Sequence, residues 1–145
     1  MDISYILPRK IQQLSHHITQ RRNQDLRQMG LTAEQADTLL FFHTYPESAA
    51  ADLKTYLGVT HQAARAIVER MVNKGLLDTH ISSHDARYKM IMLTALGEEL
   101  YANMQKNCIN FGDLLLEHIN AADQYKLLIL IQQVLENMEH ISTAK

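Results

Sequence analysis

Residues 53–100 read LKTYLGVTHQAARAIVERMVNKGLLDTHISSHDARYKMIMLTALGEEL, and the order of patterns in this stretch decides the fold. From Thr60 to Lys74 apolar and polar residues recur at helical spacing, with Ala63, Ile67 and Met71 on one side and His61, Arg65 and Glu69 on the other. Gly75 then offers a left-handed C′ position, and Leu76 supplies the apolar contact of a Schellman-type cap. Beyond it the period changes from helix to strand. Leu77, Thr79 and Ile81 share one face of a first strand, and Tyr88, Met90 and Met92 line one face of a second. Ser82 to Ala86 forms a polar hairpin loop between them, and a new helix opens at Leu93-Thr94. Upstream, Ser48 is positioned as N-cap of a short helix, Ala49 to Leu57, and Gly58-Val59 leads into Thr60, the N-cap of the next. Two helices joined through a tight glycine turn form a helix-turn-helix, whose second helix enters the DNA major groove. Such turns also occur in folds that never meet DNA; the hairpin that follows adds weight to the DNA reading.

Outward from this stretch the chain reads as helices. Leu7, Ile11, Leu14 and Ile18 recur at spacings of three and four between Ile3 and Met29, where Gly30 ends the segment. Thr32 and Gln35 have capping-box spacing and open a second helix that runs to about Tyr45, before Pro46. Asn120 caps a last helix in which Leu127 to Ile131, Val134, Leu135 and Met138 spread over more than one stripe. A helix apolar over so much of its circumference needs partners on two sides.

Four short motifs occur in the order and spacing of a known family. They are Leu31-Thr32-Ala33-Glu34-Gln35, Lys74-Gly75-Leu76 at the exit of the recognition helix, Asp85-Ala86-Arg87 in the wing, and Leu93-Thr94-Ala95-Leu96-Gly97. The chain resembles, over its whole length, the MarR-type winged helix-turn-helix transcription regulators. The resemblance implies a mainly α fold with a small two- or three-stranded β-wing, read as one domain over residues 1–145. Residues 31–97 would be the DNA-binding module, and residues 3–29 and 98–140 the dimerisation helices. It also implies a two-fold homodimer in which the first, fifth and sixth helices of both chains interlock. The chain departs from the pattern at Ala63-Ala64 in the recognition helix, where many relatives have a polar or β-branched pair, and at Ala86 in the wing, where a second arginine is common.

Composition sets outer limits. At 145 residues and 46% hydrophobic the chain can bury one sizeable core. No run of about 18 apolar residues and no basic, apolar leader is evident, so a soluble, cytoplasmic protein is expected. The lone Cys108 cannot form an internal disulfide and reads as a small filler. Net charge is −2, which by itself argues against a nucleic-acid partner. Its distribution argues otherwise. Lys54, Arg65, Arg70, Lys74, Arg87 and Lys89 face only Glu69, Asp78 and Asp85 in the middle of the chain, a local +3. From Glu98 onward, Lys106, Lys126 and Lys145 face seven carboxylates, a local −4. Ordinary variation among solvated charges is the competing account.

Side-chain chemistry assigns contact roles. A recognition helix from Thr60 to Lys74 is about 22 Å long, enough to cross the major groove with His61, Gln62 and Arg65 against the bases. Gln pairs with adenine and Arg with guanine, each bidentate contact giving about 1–3 kcal/mol of discrimination. Lys54, Arg70, Lys74 and Lys89 are read as phosphate contacts or solvated cations, and an intrachain salt bridge competes for Arg70. Arg87 resembles the family's minor-groove arginine, with Asp85 holding its guanidinium.

The eight histidines, at positions 16, 17, 43, 61, 80, 84, 118 and 140, form no catalytic or metal spacing. The expectation is therefore no enzyme, no metal and no cofactor. The function expected is sequence-specific regulation of transcription, with a homodimeric repressor on a pseudo-palindromic duplex, released by a small anionic or phenolic ligand. His17, Arg21 and His43 are candidates to line that ligand's pocket, Arg21 interrupting an apolar stripe where a cation needs a partner. Arg21 paired with a carboxylate of the acidic C-terminal helices is the simpler alternative. Two other functions stand beside this one: a winged helix used only for protein contacts, and a metal- or redox-responsive regulator.

Overall fold

The computed structural model describes residues 1–144, so Lys145, counted above in the charge balance, lies outside the described residues. The elements run in chain order as α1 Ile3–Gln28, α2 Ala33–Thr44, α3 Ala50–Leu57, α4 His61–Asn73, β1 Leu77–Ile81, β2 Lys89–Leu93, α5 Ala95–Leu115 and α6 Ala121–Thr143. The described chain is thus mainly helical with a two-stranded antiparallel sheet, the winged helix-turn-helix order expected. By internal contacts it divides into two units, Met1–Asn107 and a second from Cys108 on, the boundary falling inside α5.

Local chemistry accounts for the helix ends. Thr32 Oγ1 accepts from Gln35 N at 3.1 Å while Gln35 Oε1 accepts from Thr32 N at 3.3 Å, a complete capping box at the start of α2. Thr60 Oγ1 accepts from Ala63 N at 3.1 Å and opens α4. Between α3 and α4, Gly58 takes φ 68°, a left-handed conformation that side chains resist. At the exit of α4, Gly75 takes φ 78° and Leu76 N donates back to Met71 O at 2.9 Å, closing the Schellman motif.

One cap differs from expectation. Ser48 does not cap α3; Ala49 occupies that position, and its N–H is met from inside the helix by Asp52 Oδ2 at 2.8 Å. Ser48 is used instead as a one-residue third strand, its carbonyl accepting from Ile91 N at 2.8 Å. The structure also settles which face of the wing is inward. The hairpin pairs Leu77 with Leu93 and Ile81 with Lys89, and its buried side chains are Leu77 and Ile91, with Leu93 partly covered. Met92 is exposed and Tyr88 lies outside the strand. Because apolar residues occupy both faces of β2, alternation separates the two faces without telling which is inward.

The core of the first unit gathers Leu26, Leu31, Leu39, Phe42, Leu53, Ile67, Met71, Leu77, Ile91 and Tyr101. On α4 the buried residues are Ala64, Ile67, Val68 and Met71, one stripe at i, i+3, i+4 and i+7 that leaves the opposite stripe to solvent. The α5 start is set by Thr94. Its N–H donates to Leu76 O at 3.1 Å, its hydroxyl donates to Gly75 O at 2.5 Å, and the same hydroxyl oxygen accepts from Gly97 N at 3.0 Å. Gly97 is buried there, where no side chain fits. The α1 stripe is not buried within the chain: Leu7, Ile11 and Leu14 stay 41–48% exposed. In the second unit, α6 has no buried residue at all.

Candidate nucleic-acid interface

The exposed stripe of α4 and the wing enclose an open groove of about 510 Å³. His61, Arg65 and Glu69 line it from α4 at i, i+4 and i+8; Arg87, Tyr88 and Lys89 line it from the wing, and Ala49 to Ala51 from the start of α3. Four candidate contact residues, His61, Arg65, Arg87 and Lys89, are thereby brought to one face although up to 28 positions separate them in sequence. Thr60 and Gln62 are exposed at the N-terminal end of the same helix, and Lys54 is exposed on α3. Thr60 has a structural duty as well, since its hydroxyl oxygen is the α4 cap. A helix of 13 residues spans about 20 Å, which suits a major-groove crossing.

At the wing tip, Asp85 Oδ1 accepts from Arg87 N at 2.9 Å and approaches Arg87 Nε at 3.5 Å, while the arginine side chain remains 94% exposed. The aspartate thus shapes the turn through the backbone and biases the guanidinium without sequestering it, as the Asp-x-Arg spacing leads one to expect.

Two cations behave differently from each other. Lys74 Nζ donates to Gly30 O at 3.0 Å and to Gln35 Oε1 at 3.1 Å, so its ammonium is engaged at the corner between α1 and α2. Lys74 therefore carries a structural role beside the phosphate contact expected of it, because those acceptors would lose their donor if it left. Arg70 is exposed and, among the described residues, makes no ion pair; it stays available as a phosphate contact.

The residues expected to line a ligand pocket are each engaged by neighbours of their own. Arg21 pairs with Asp25, four residues on along α1, at 3.3 Å. The stripe that Arg21 interrupts is exposed within the chain rather than buried, since Leu7, Ile11 and Leu14 are all exposed. His43 Nδ1 lies 2.9 Å from Glu98 Oε2, and its ring stacks on Tyr101 with centroids 3.9 Å apart. His17 is exposed beside His16, ring centroids 6.0 Å apart. Among the described residues no group of three or more His, Cys, Asp or Glu could hold a metal ion, and no helix is long and apolar enough to cross a membrane.

Sequence reasoning passed over Tyr88, Asp52 and Glu47. The Tyr88 hydroxyl lies 3.3 Å from Glu47 O and 3.4 Å from Asp52 Oδ2. Its pKa is raised above 10.0, first by desolvation and then by the Asp52 and Glu47 charges, so the phenol is protonated at neutral pH. The only sequence signal was the position of Tyr88 next to Arg87, together with an acidic residue in the first turn of α3.

Comparison with known proteins bears on this geometry. The model of the MarR family matches residues 29–87, from the end of α1 to the wing arginine. No curated protein matches significantly in sequence. Among solved structures, MepR, a transcription regulator of the Staphylococcus aureus multidrug efflux pump MepA, superposes with a TM-score of 0.79 at 19% identity, covering 95% of this chain and 99% of that one. The S. aureus MepR–DNA complex gives 0.67 at 20% identity, covering 94% and 96%. The transcriptional regulator Tm0710 of Thermotoga maritima gives 0.69 at 20% identity, covering 97% and 99%. At these identities the structural likeness is one of fold, and the family match is confined to the segment 29–87. Residues 29–87 thus match the MarR family, and over its described length the chain is similar in fold to these winged helix-turn-helix structures.

Proposed function

We propose that the protein is a homodimeric, sequence-specific DNA-binding regulator of transcription that places α4 in the major groove and the wing in the adjacent minor groove. The observation that carries this is the shared groove face of α4 and the wing, where His61, Arg65, Arg87 and Lys89 converge with their side chains open to solvent. Arg65 and Gln62 are the base readers, Arg87 reaches the minor groove, and Lys54, Arg70 and Lys89 meet phosphates.

A second copy of the chain supports the two-fold arrangement that a pseudo-palindrome needs. The exposed apolar residues of α6, among them Ile129 at 60% and Leu135 at 59%, together with the α1 stripe, are more apolar surface than a lone soluble chain ordinarily leaves to water. Repression by occupancy, with release by a small anionic or phenolic ligand near His17, Arg21 and His43, extends the same proposal. An anion binding there has to compete with Asp25 for Arg21 and with Glu98 for His43.

The test is selection of duplexes from a random-sequence pool, followed by titration of the selected duplex and a scrambled one at several salt concentrations. Regulation by DNA binding requires preference for the selected duplex and affinity that falls with salt. Equal, salt-independent binding, or none, would favour a winged helix used for protein contacts.

A further inference from the structure

The wing loop keeps its own shape by internal bonds. Ser82 N donates to Tyr88 O at 2.9 Å, Tyr88 N to Asp85 O at 3.0 Å, and His84 N to Ser82 Oγ at 3.1 Å. None of these fixes where the loop stands relative to the helices. That placement comes from residues 47–52. Ser48 O holds Ile91 N, and the Tyr88 hydroxyl reaches out of the wing to Glu47 O and Asp52 Oδ2. A phenol has one proton, so it donates to one of these two oxygens at a time, and both are acceptors. The anchor is itself fixed, because Asp52 Oδ2 also takes the Ala49 N–H in the first turn of α3.

We propose that Tyr88 is a positioning residue for DNA recognition: its hydroxyl, clasped to Glu47 and Asp52, sets where Arg87 stands relative to the reading face of α4, and so lets wing and helix engage one duplex together. The inference rests on the DNA-binding function proposed above. Tyr88 lies outside β2 and is 39% exposed, so its hydroxyl adds little to the core; its consequence falls on the neighbouring Arg87. Desolvation and the two nearby acidic residues favour the protonated phenol, the form able to donate.

The experiment uses the full chain and a fluorescein-labelled duplex selected by the wild-type protein. Tyr88→Phe removes one oxygen and should weaken binding roughly threefold to tenfold, the worth of one hydrogen bond. Because Tyr88 acts through Arg87, the double variant Tyr88→Phe/Arg87→Ala should bind within about twofold of Arg87→Ala alone, a coupling that a merely structural tyrosine lacks. Wild-type affinity in Tyr88→Phe, or its full loss repeated on the Arg87→Ala background, overturns the proposal. A second readout does not need DNA. Trypsin should cut after Arg87 several times faster in Tyr88→Phe than in wild type, since the unclasped wing opens more often; equal rates overturn the clasp. If the wild type binds no duplex in a salt-dependent way, the DNA function fails, and the proposal with it, whatever the cleavage rates.

Discussion

Replacing Gly97 by alanine should destabilise the tight junction between α5 and the exit of α4, while the same replacement at Gly112, in the same helix, should help. A Cβ built on Gly97 falls 2.2 Å from Leu76 O, 3.2 Å from Leu76 C and 3.4 Å from Leu93 Cβ. The first distance is roughly 1 Å inside any tolerable carbon–oxygen contact. The oxygen cannot swing away cheaply, because it accepts from Thr94 N at 3.1 Å. Overpacking of this kind costs about 1–3 kcal/mol, and weakening the Thr94 bond adds about 1 kcal/mol. Alanine's better helix propensity returns about 1 kcal/mol. The net loss is then about 3 kcal/mol at the upper end, or a fall of roughly 6–12 °C in melting temperature for a chain of this length. Around Gly112 no atom other than its chain neighbours and its own helix backbone lies within 4 Å of the added Cβ among the described residues. There only the propensity gain remains, about 0.5–1 kcal/mol and a rise of roughly 1–4 °C. Melting followed by far-ultraviolet circular dichroism, at one fixed protein concentration because dimerisation shifts the midpoint, compares the two variants with wild type. A Gly97→Ala protein that melts at or above the wild-type temperature refutes the reasoning, as does an equal fall for both variants.

Three further outcomes are expected. Arg65→Ala should cost about 1–3 kcal/mol on the selected duplex and much less on scrambled DNA, whereas Arg87→Ala should weaken both and reduce the salt slope by about 1, read from titrations at several salt concentrations; equal losses for Arg65→Ala on both duplexes would remove it as a base reader. Sedimentation at micromolar concentration should show a dimer, and Leu128→Glu with Leu135→Glu, seven positions apart on one exposed face of α6, should yield a folded monomer; a wild-type monomer would count against the second copy. The chain has six tyrosines, and in an absorbance titration Tyr88→Phe should remove a component that ionises late. Because the Tyr88 pKa is raised on folding, its contribution to stability is complete below pH 10.0 and is lost only as pH rises through the folded value, so melting at neutral pH should show no dependence on this group.

Helix ends and the helix-turn-helix order were legible because their causes are local. The Thr32–Gln35 box, the Thr60 cap and the glycines at 58 and 75 all act within six residues, and each took the expected conformation. Asp85 and Arg87 were legible for the same reason. Ser48 misled because capping has two solutions: a side chain at the cap, or an acidic residue three positions inside reaching back to the cap's N–H. Asp52 supplied the second, and that freed the Ser48 backbone to extend the sheet.

What sequence could not show is how the reading surface is held, and the reason is the range of the bonds involved. Lys74 is one more cation at the end of a helix until its ammonium is seen 3.0 Å from a carbonyl 44 positions away and 3.1 Å from an amide oxygen 39 positions away. The amide belongs to Gln35, whose oxygen already completes the α2 cap, so one side chain serves both the start of α2 and the end of α4. Tyr88 does the corresponding work for the wing, over separations of 36 and 41 positions. Polar contacts this distant have no period, and a lone lysine or tyrosine carries no mark of its partner. The two groups that orient the recognition helix and the wing are thus single side chains joined to backbone carbonyls and shared acceptors, whereas the groups that would touch DNA, Arg65 and Arg87, are left with room to move. A surface built this way keeps its scaffold fixed and its contacts adaptable, and it follows that substitutions at Lys74 or Tyr88 should lower affinity for every sequence, while those at Arg65 should change which sequence is preferred.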